Sequence, residues 1–273
     1  EGMSFSLFLS NLKLGRWGIL SWTVLIFLYA LLTMYLYPSF AESNVDLLEY
    51  INGLPEALKA AFGYEGIDFT SATFTPEAFA TLEFLVMWPL LIGTYGLFSS
   101  VGIAREAERG TLDLLLAQPI KRYKVLISKF SVFIFAAVLI AVVSYLGLVA
   151  GAAMIDEPVD SGSLAMVLFE ALLMVLAIAS ITLLCSVVFL DPRKSLLVSG
   201  LIVGVSYIIN FMVSILDPAM ECLRNTSIFY FYQPNEIVES GSLDAIAIAV
   251  YTVIILVCFF ASLVLFQRRD ITV

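Results

Sequence analysis

The chain has 273 residues, of which 61% are hydrophobic and only 14% charged, with a formal net charge of −9 and no histidine. Soluble domains average about 45–50% apolar and about 25% charged residues, so this composition excludes an ordinary globular or disordered protein and leaves a polytopic membrane protein. The acidic balance argues against a nucleic-acid partner. Three scattered cysteines (Cys185, Cys222 and Cys258) form no metal-binding pattern.

A helix needs about 20 mostly apolar residues to cross about 30 Å of hydrocarbon. The apolar runs here are continuous rather than alternating, which predicts helices and not a barrel. Residues 1–16 place Phe5, Phe8, Leu9 and Leu12 near helical spacing, with Lys13 and Arg16 close behind, and predict an interfacial helix. No small-residue cleavage site follows the first span, so no cleavable leader is expected. That span is predicted over Trp17–Tyr37.

The loop 38–83 is too long for a turn. Asn44 is a cap for a helix stopping at Gly53, and Pro55 with Glu56 opens another that stops at Gly63. Leu47, Leu48, Ile51, Leu54, Leu58 and Phe62 give these an apolar face, predicting a small helical cap. Thr75-Pro76-Glu77 then caps the second span, Phe84–Ala104. A basic loop, 105–129, leads to the third span, Phe130–Ile155, followed by Leu164–Leu190 and Ser195–Leu216. The stretch 217–242 sets Phe229, Tyr230, Phe231 and Tyr232 between Pro218 and Pro234, too apolar for a free loop, and is expected to fold back into the membrane interface. The sixth span is Leu243–Phe266. The fold class is therefore all-α, with six transmembrane helices in a single domain over 1–273.

Charge orients the chain. Lys13 and Arg16, Arg105, Arg109, Lys121, Arg122, Lys124 and Lys129, Arg193 and Lys194, and Arg268 and Arg269 all fall on one side, leaving only Lys59 and Arg224 on the other. The positive-inside rule puts both termini in the cytoplasm. Acidic residues such as Glu42, Asp46, Glu49, Asp156, Glu157, Asp160, Glu236 and Asp244 crowd the outer side. They read as solvation of an outer surface, with a cation-collecting vestibule as the alternative.

Within the spans, Gly147 and Gly151, and again Gly200 and Gly204, set two glycines on one helix face. Such pairs allow close helix approach, within one subunit or between two. Glu170 is the acid deep in a span and a pathway candidate; the alternative is an acid reaching the interface or a neighbouring Ser or Tyr. Tyr207 and Asn210 are candidates to line a cavity or bond another helix. An intramembrane protease is excluded on residue types, because histidine is absent and no span holds an Asp pair.

Loop 105–129 carries the most specific signal. Gly110 breaks the helix leaving the second span, Thr111 can cap a short new one, Leu112, Leu115 and Leu116 form an apolar ridge, and Pro119 ends it. This is a plug for a groove on another protein, or an amphipathic stretch lying on anionic lipid.

The loop resembles that of the permease subunit of type-2 ATP-binding-cassette (ABC-2 type) transporters, in which Glu, Gly-Thr-Leu, a Leu pair, Pro, a basic residue and Lys follow the second span. Here these are Glu106 and Glu108, Gly110-Thr111-Leu112, Leu115-Leu116, Pro119, Arg122 and Lys129. The resemblance implies a coupling helix over Gly110 to Pro119, with Glu106, Glu108 and Arg109 as polar contacts on a cytoplasmic ATPase. It further implies an ATP-driven exporter in a prokaryotic plasma membrane, completed by a second permease copy or homologue. The long first outer loop is similar to that of single-domain permeases linked to drug, bacteriocin, sodium and copper-enzyme-maturation systems, and it leaves room for an extracytoplasmic partner. The sequence carries no Gly-x4-Gly-Lys-Ser/Thr. ATP and Mg are therefore expected on the partner ATPase, and no cofactor on this chain. An ATPase-independent channel or secondary transporter is the competing class, whose mark is several intramembrane charges or broken helices.

Overall fold

The computed structural model describes residues 2–42, 75–110, 121–215 and 225–268, with Gly53, Pro55 and Leu223. Among them, six helical stretches are long and apolar enough to cross a membrane: Ser6–Ala41, Pro76–Glu108, Arg122–Met154, Ser161–Phe189, Pro192–Val213 and Ala245–Arg268. Each overlaps one predicted span and runs past it at one end or both. The helices expected within 44–63 lie outside the described residues.

The first helix, α1 (Gly2–Glu42), has 41 residues and continues through Pro38. At about 1.5 Å per residue it is about 60 Å long, twice the hydrocarbon thickness. Its hydrogen bonding shows no break between the expected interfacial helix over 1–16 and the first span. It packs along α5 (Arg122–Met154). A Cβ built on Gly147 would meet the Ala30 Cβ, one on Gly151 would meet the Met34 Cβ, and the Asn11 amide donates to the Ser128 hydroxyl at 3.0 Å. These three pairs share one offset of 117 positions, the mark of parallel helices in constant register. Phe8 departs from it. Its ring meets Phe135 edge-on, centroids 6.3 Å apart, further along α5 than Ser128 although Phe8 precedes Asn11.

The second crossing is built in pieces: α2 (Pro76–Ala80), a π-turn (Thr81–Leu85), α3 (Trp88–Ser100) and α4 (Gly102–Glu108). Thr75 caps α2 as its sequence predicts, its hydroxyl accepting from the Ala78 N–H at 3.2 Å. The break after Leu85 has a cause in the sequence. In an unbroken helix the Leu85 carbonyl would pair with the N–H at position 89, and residue 89 is proline. The backbone widens into a π-turn, with the Val86 N–H reaching the Thr81 carbonyl at 2.9 Å. A second break falls at Val101, where the Ala104 N–H turns to the Ser186 hydroxyl at 3.0 Å.

The central helix is α6 (Ser161–Phe189), packed against α3, α5, α7 (Pro192–Ile215) and α9 (Ala245–Arg268). Asp160 caps it, its carboxylate accepting from the Gly162 N–H at 3.0 Å and from the Ser163 hydroxyl. These bonds, the Ser163 hydroxyl foremost, hold the exposed Asp160 below the ordinary carboxylate range. Leu190 takes a left-handed turn (φ 52°) and Asp191 accepts from the Arg193 and Lys194 N–H groups at 2.9 and 3.1 Å, so α7 starts at Pro192 immediately after α6 ends. A short helix, α8 (Pro234–Ser240), precedes α9.

Candidate functional site

Two places carry polar geometry beyond capping. At the end of the helices opposite the basic residues, the described stretch 225–233 ahead of α8 lies back against α7. The Ser227 hydroxyl donates to the Ser206 carbonyl at 2.7 Å, and the Ile228 N–H donates to the Ser206 hydroxyl at 2.8 Å. Ser206 lies nine residues before the end of α7 at Ile215, about 13 Å back along that helix. The segment therefore re-enters the helix bundle.

Four other ties seat it. Tyr251 of α9 donates to the Ile228 carbonyl at 2.9 Å. The Tyr232 hydroxyl donates at 2.8 Å to the Leu85 carbonyl, the acceptor that Pro89 orphans. The ring of Tyr207, on α7, meets Phe229 edge-on with centroids 5.2 Å apart. The backbone N–H of Gln233, just ahead of α8, faces the carboxyl group of Glu170 on α6. From α1, the Tyr29 hydroxyl donates to the Glu83 carbonyl in the same π-turn.

Glu170 is 1% exposed, and its Oε2 has no hydrogen-bond partner. It lies nine residues into α6, about 13 Å from the helix start.

At the basic end, α4 and α5 frame the loop 105–129. Lys129 Nζ lies 2.6 Å from Glu106 Oε1, with side chains only 17% and 20% exposed. This pair joins the two helices at the foot of the loop. Glu108 and Arg109 lie beyond it and are exposed. Gly110 adopts φ +67°, a conformation that ends the helix and that L side chains rarely adopt. Thr111, Leu112, Leu115, Leu116 and Pro119 lie outside the described residues.

A family model described as "ABC-2 family transporter protein" matches residues 15–271. The chain belongs to the ABC-2 transporter family. A comparison with curated proteins finds no match.

In this ABC-2 chain the residues singled out from sequence separate into distinct environments. Glu170 and Tyr207 meet the folded-back segment from different helices. Asn210 lies one turn beyond Tyr207 and is half-buried. Glu106 pairs with Lys129 of its own chain. Gly147 and Gly151 lie against α1, where added Cβ atoms would fall 2.9 Å from the Ala30 Cβ and 2.6 Å from the Met34 Cβ. Gly200 and Gly204 have nothing within 4 Å of such an atom, and Leu197 and Leu201 beside them are 73% and 66% exposed.

Sequence reasoning missed Tyr232, Tyr251, Gln233 and the π-turn. Pro89 inside a predicted span signals the π-turn, and the aromatic run signals Tyr232. Tyr251 reads as one more apolar residue of the last span.

Proposed function

We propose that this ABC-2 protein is the permease subunit of an ATP-driven exporter. It works as a dimer, forms the substrate pathway, and receives its drive from a separate cytoplasmic ATPase through the loop after the second crossing. The observation that carries the reading is the foot of that loop. Glu106 and Lys129 tie the second crossing to the third where the loop departs, and Gly110 turns the chain away from α4. A push on the Leu112–Leu115–Leu116 ridge is thereby delivered to two membrane helices together. Family membership supports association with an ATPase, and a sequence without a phosphate-cradling motif supports ATP and Mg binding on that partner.

The mechanism follows from the joints. ATP closes the ATPase pair, the coupling loops move with it, and the crossings rock between inward- and outward-open states. ATP biases those states only through its differential affinity for them. Glu170, Tyr207 and Asn210 contribute to the outer part of the pathway, and the open Gly200–Gly204 face of α7 receives the second permease.

The test is co-purification with the cognate ATPase, wild type against Leu115→Asp. The wild type is expected to carry one ATPase per permease. The variant is expected to lose it while remaining monodisperse and helical, because a charge poisons an apolar ridge. A wild type that purifies alone, or a variant that keeps its ATPase, overturns the docking role of the loop.

A further inference from the structure

Among the described residues, the acid buried in α6 has no counter-charge. Glu170 is 1% exposed, one oxygen side is met by the Gln233 N–H, and Oε2 has no partner. The ionisable groups within electrostatic reach are Tyr232 on the folded-back segment, Tyr251 on α9, Glu236 on α8 and Asp244 ahead of α9. None of them is a cation. The described Lys and Arg residues lie in the half of the helix bundle away from Glu170, and Lys59 and Arg224 lie outside the described residues. The two tyrosine protons are already given to the Leu85 and Ile228 carbonyls.

A bare carboxylate shut away from water without a cation costs several kcal/mol, and neighbouring carboxylates add to that cost. Something positive must therefore accompany the acid whenever the folded-back segment is down. Among the described residues no set of three His, Cys, Asp or Glu converges to hold a metal ion, and a lone carboxyl does not replace the six or more oxygens of a hard divalent cation. A proton fits, and it converts Oε2 from an orphan acceptor into a donor.

We propose that Glu170 is a proton-binding site linked to the seating of the folded-back segment. The carboxyl is protonated while the Gln233 turn covers it, and it releases the proton to outer water when the segment lifts. The seated state then holds one proton more than the lifted state. Raising the pH favours lifting, by at most about tenfold in the ratio of the two states per pH unit. The site is defined by the fold alone, so it stands or falls independently of the ATPase coupling proposed above.

The experiment uses the full chain in lipid nanodiscs, with and without its ATPase. Amide hydrogen exchange over residues 225–244 is followed against pH and normalised to the α5 amides, to cancel the intrinsic pH dependence of exchange. In the wild type the normalised exchange is expected to rise with pH. In Glu170→Gln, an uncharged isostere, it stays low and flat. Tyr232→Phe keeps the acid and removes one tie of the seat, so the wild-type rise is expected at lower pH. Infrared spectra add a direct reading: a protonated-carboxyl band at low pH that fades as the segment lifts and is missing in Glu170→Gln. Normalised exchange that ignores pH in the wild type overturns the proposal, as does an unchanged pH response in Glu170→Gln or a wild type lacking the carboxyl band. Should Glu170→Gln fail to fold, the wild-type spectra and Tyr232→Phe still decide.

Discussion

The two glycine pairs are alike in sequence and opposite in setting. Gly147 and Gly151 lie in the seam between α1 and α5, where an added Cβ would also press on the Phe27 and Leu31 carbonyls at 3.1 and 3.2 Å. Gly200 and Gly204 look out from α7 into open space. A small-residue pair says that a neighbour is able to come close. Only the three-dimensional arrangement says whether the neighbour is in the same chain. The difference also separates what holds the subunit together from what it offers outward.

That contrast can be broken by substitution. Gly151→Leu has the largest expected effect: a Cβ 2.6 Å from the Met34 Cβ drives the two longest described helices apart. Loss of about 3 kcal/mol or more is expected, seen as a collapse in monodisperse yield and in thermal unfolding temperature in detergent. Lys129→Met comes next. It removes the Lys129–Glu106 ion pair from a largely shielded site and is expected to cost about 1–3 kcal/mol, with Lys129→Arg recovering most of it in the same melt. Gly204→Leu is expected to leave the melting of the isolated subunit within about 0.5 kcal/mol of wild type, because its side chain enters open space. Its effect belongs instead to self-association, measured by light scattering in detergent. If Gly204→Leu unfolds the subunit as Gly151→Leu does, the distinction between seam and open face is lost.

The smallest effect concerns the cap of α6. Asp160 is held below the ordinary carboxylate range by the Ser163 hydroxyl and the Gly162 N–H. Its contribution is fully present above the unfolded-state pKa and is lost as the pH falls through the lower, folded one. Acid should therefore raise amide exchange at Gly162 and Ser163, normalised to the α5 amides, in the wild type. In Asp160→Asn, which keeps an acceptor without the titration, that acid step should be missing.

Much of the architecture is legible in the sequence because lipid allows few solutions. The six crossings follow from apolar length, the Thr75 cap and the stop at Gly110 from local chemistry, and the folded-back segment from aromatics lodged between prolines. What escapes is what depends on a neighbour. Nothing near Tyr251 announces that its hydroxyl closes on Ile228, and nothing near Glu106 tells an outward contact from a partner on α5. The extent of α1 escapes for another reason: helical hydrogen bonding continues past the interface, so hydropathy marks the membrane boundary while the backbone does not.

The interrupted second crossing has a mechanical consequence. Its middle piece, Trp88–Ser100, is 13 residues, about 20 Å of stiff rod with a joint at each end. At each joint, amide pairing within the helix gives way to hydroxyls borrowed from elsewhere: Tyr29 and Tyr232 at one, Ser186 at the other. Bending a regular helix means tearing its own ladder. Here the ties are single side-chain hydrogen bonds, two at one joint and one at the other, each worth about 1 kcal/mol, so the rod can swing by giving up borrowed partners and not its own ladder. A tilt of ten degrees at one joint carries the other about 3 Å, turning a small displacement at the membrane surface into a change of shape on the far side.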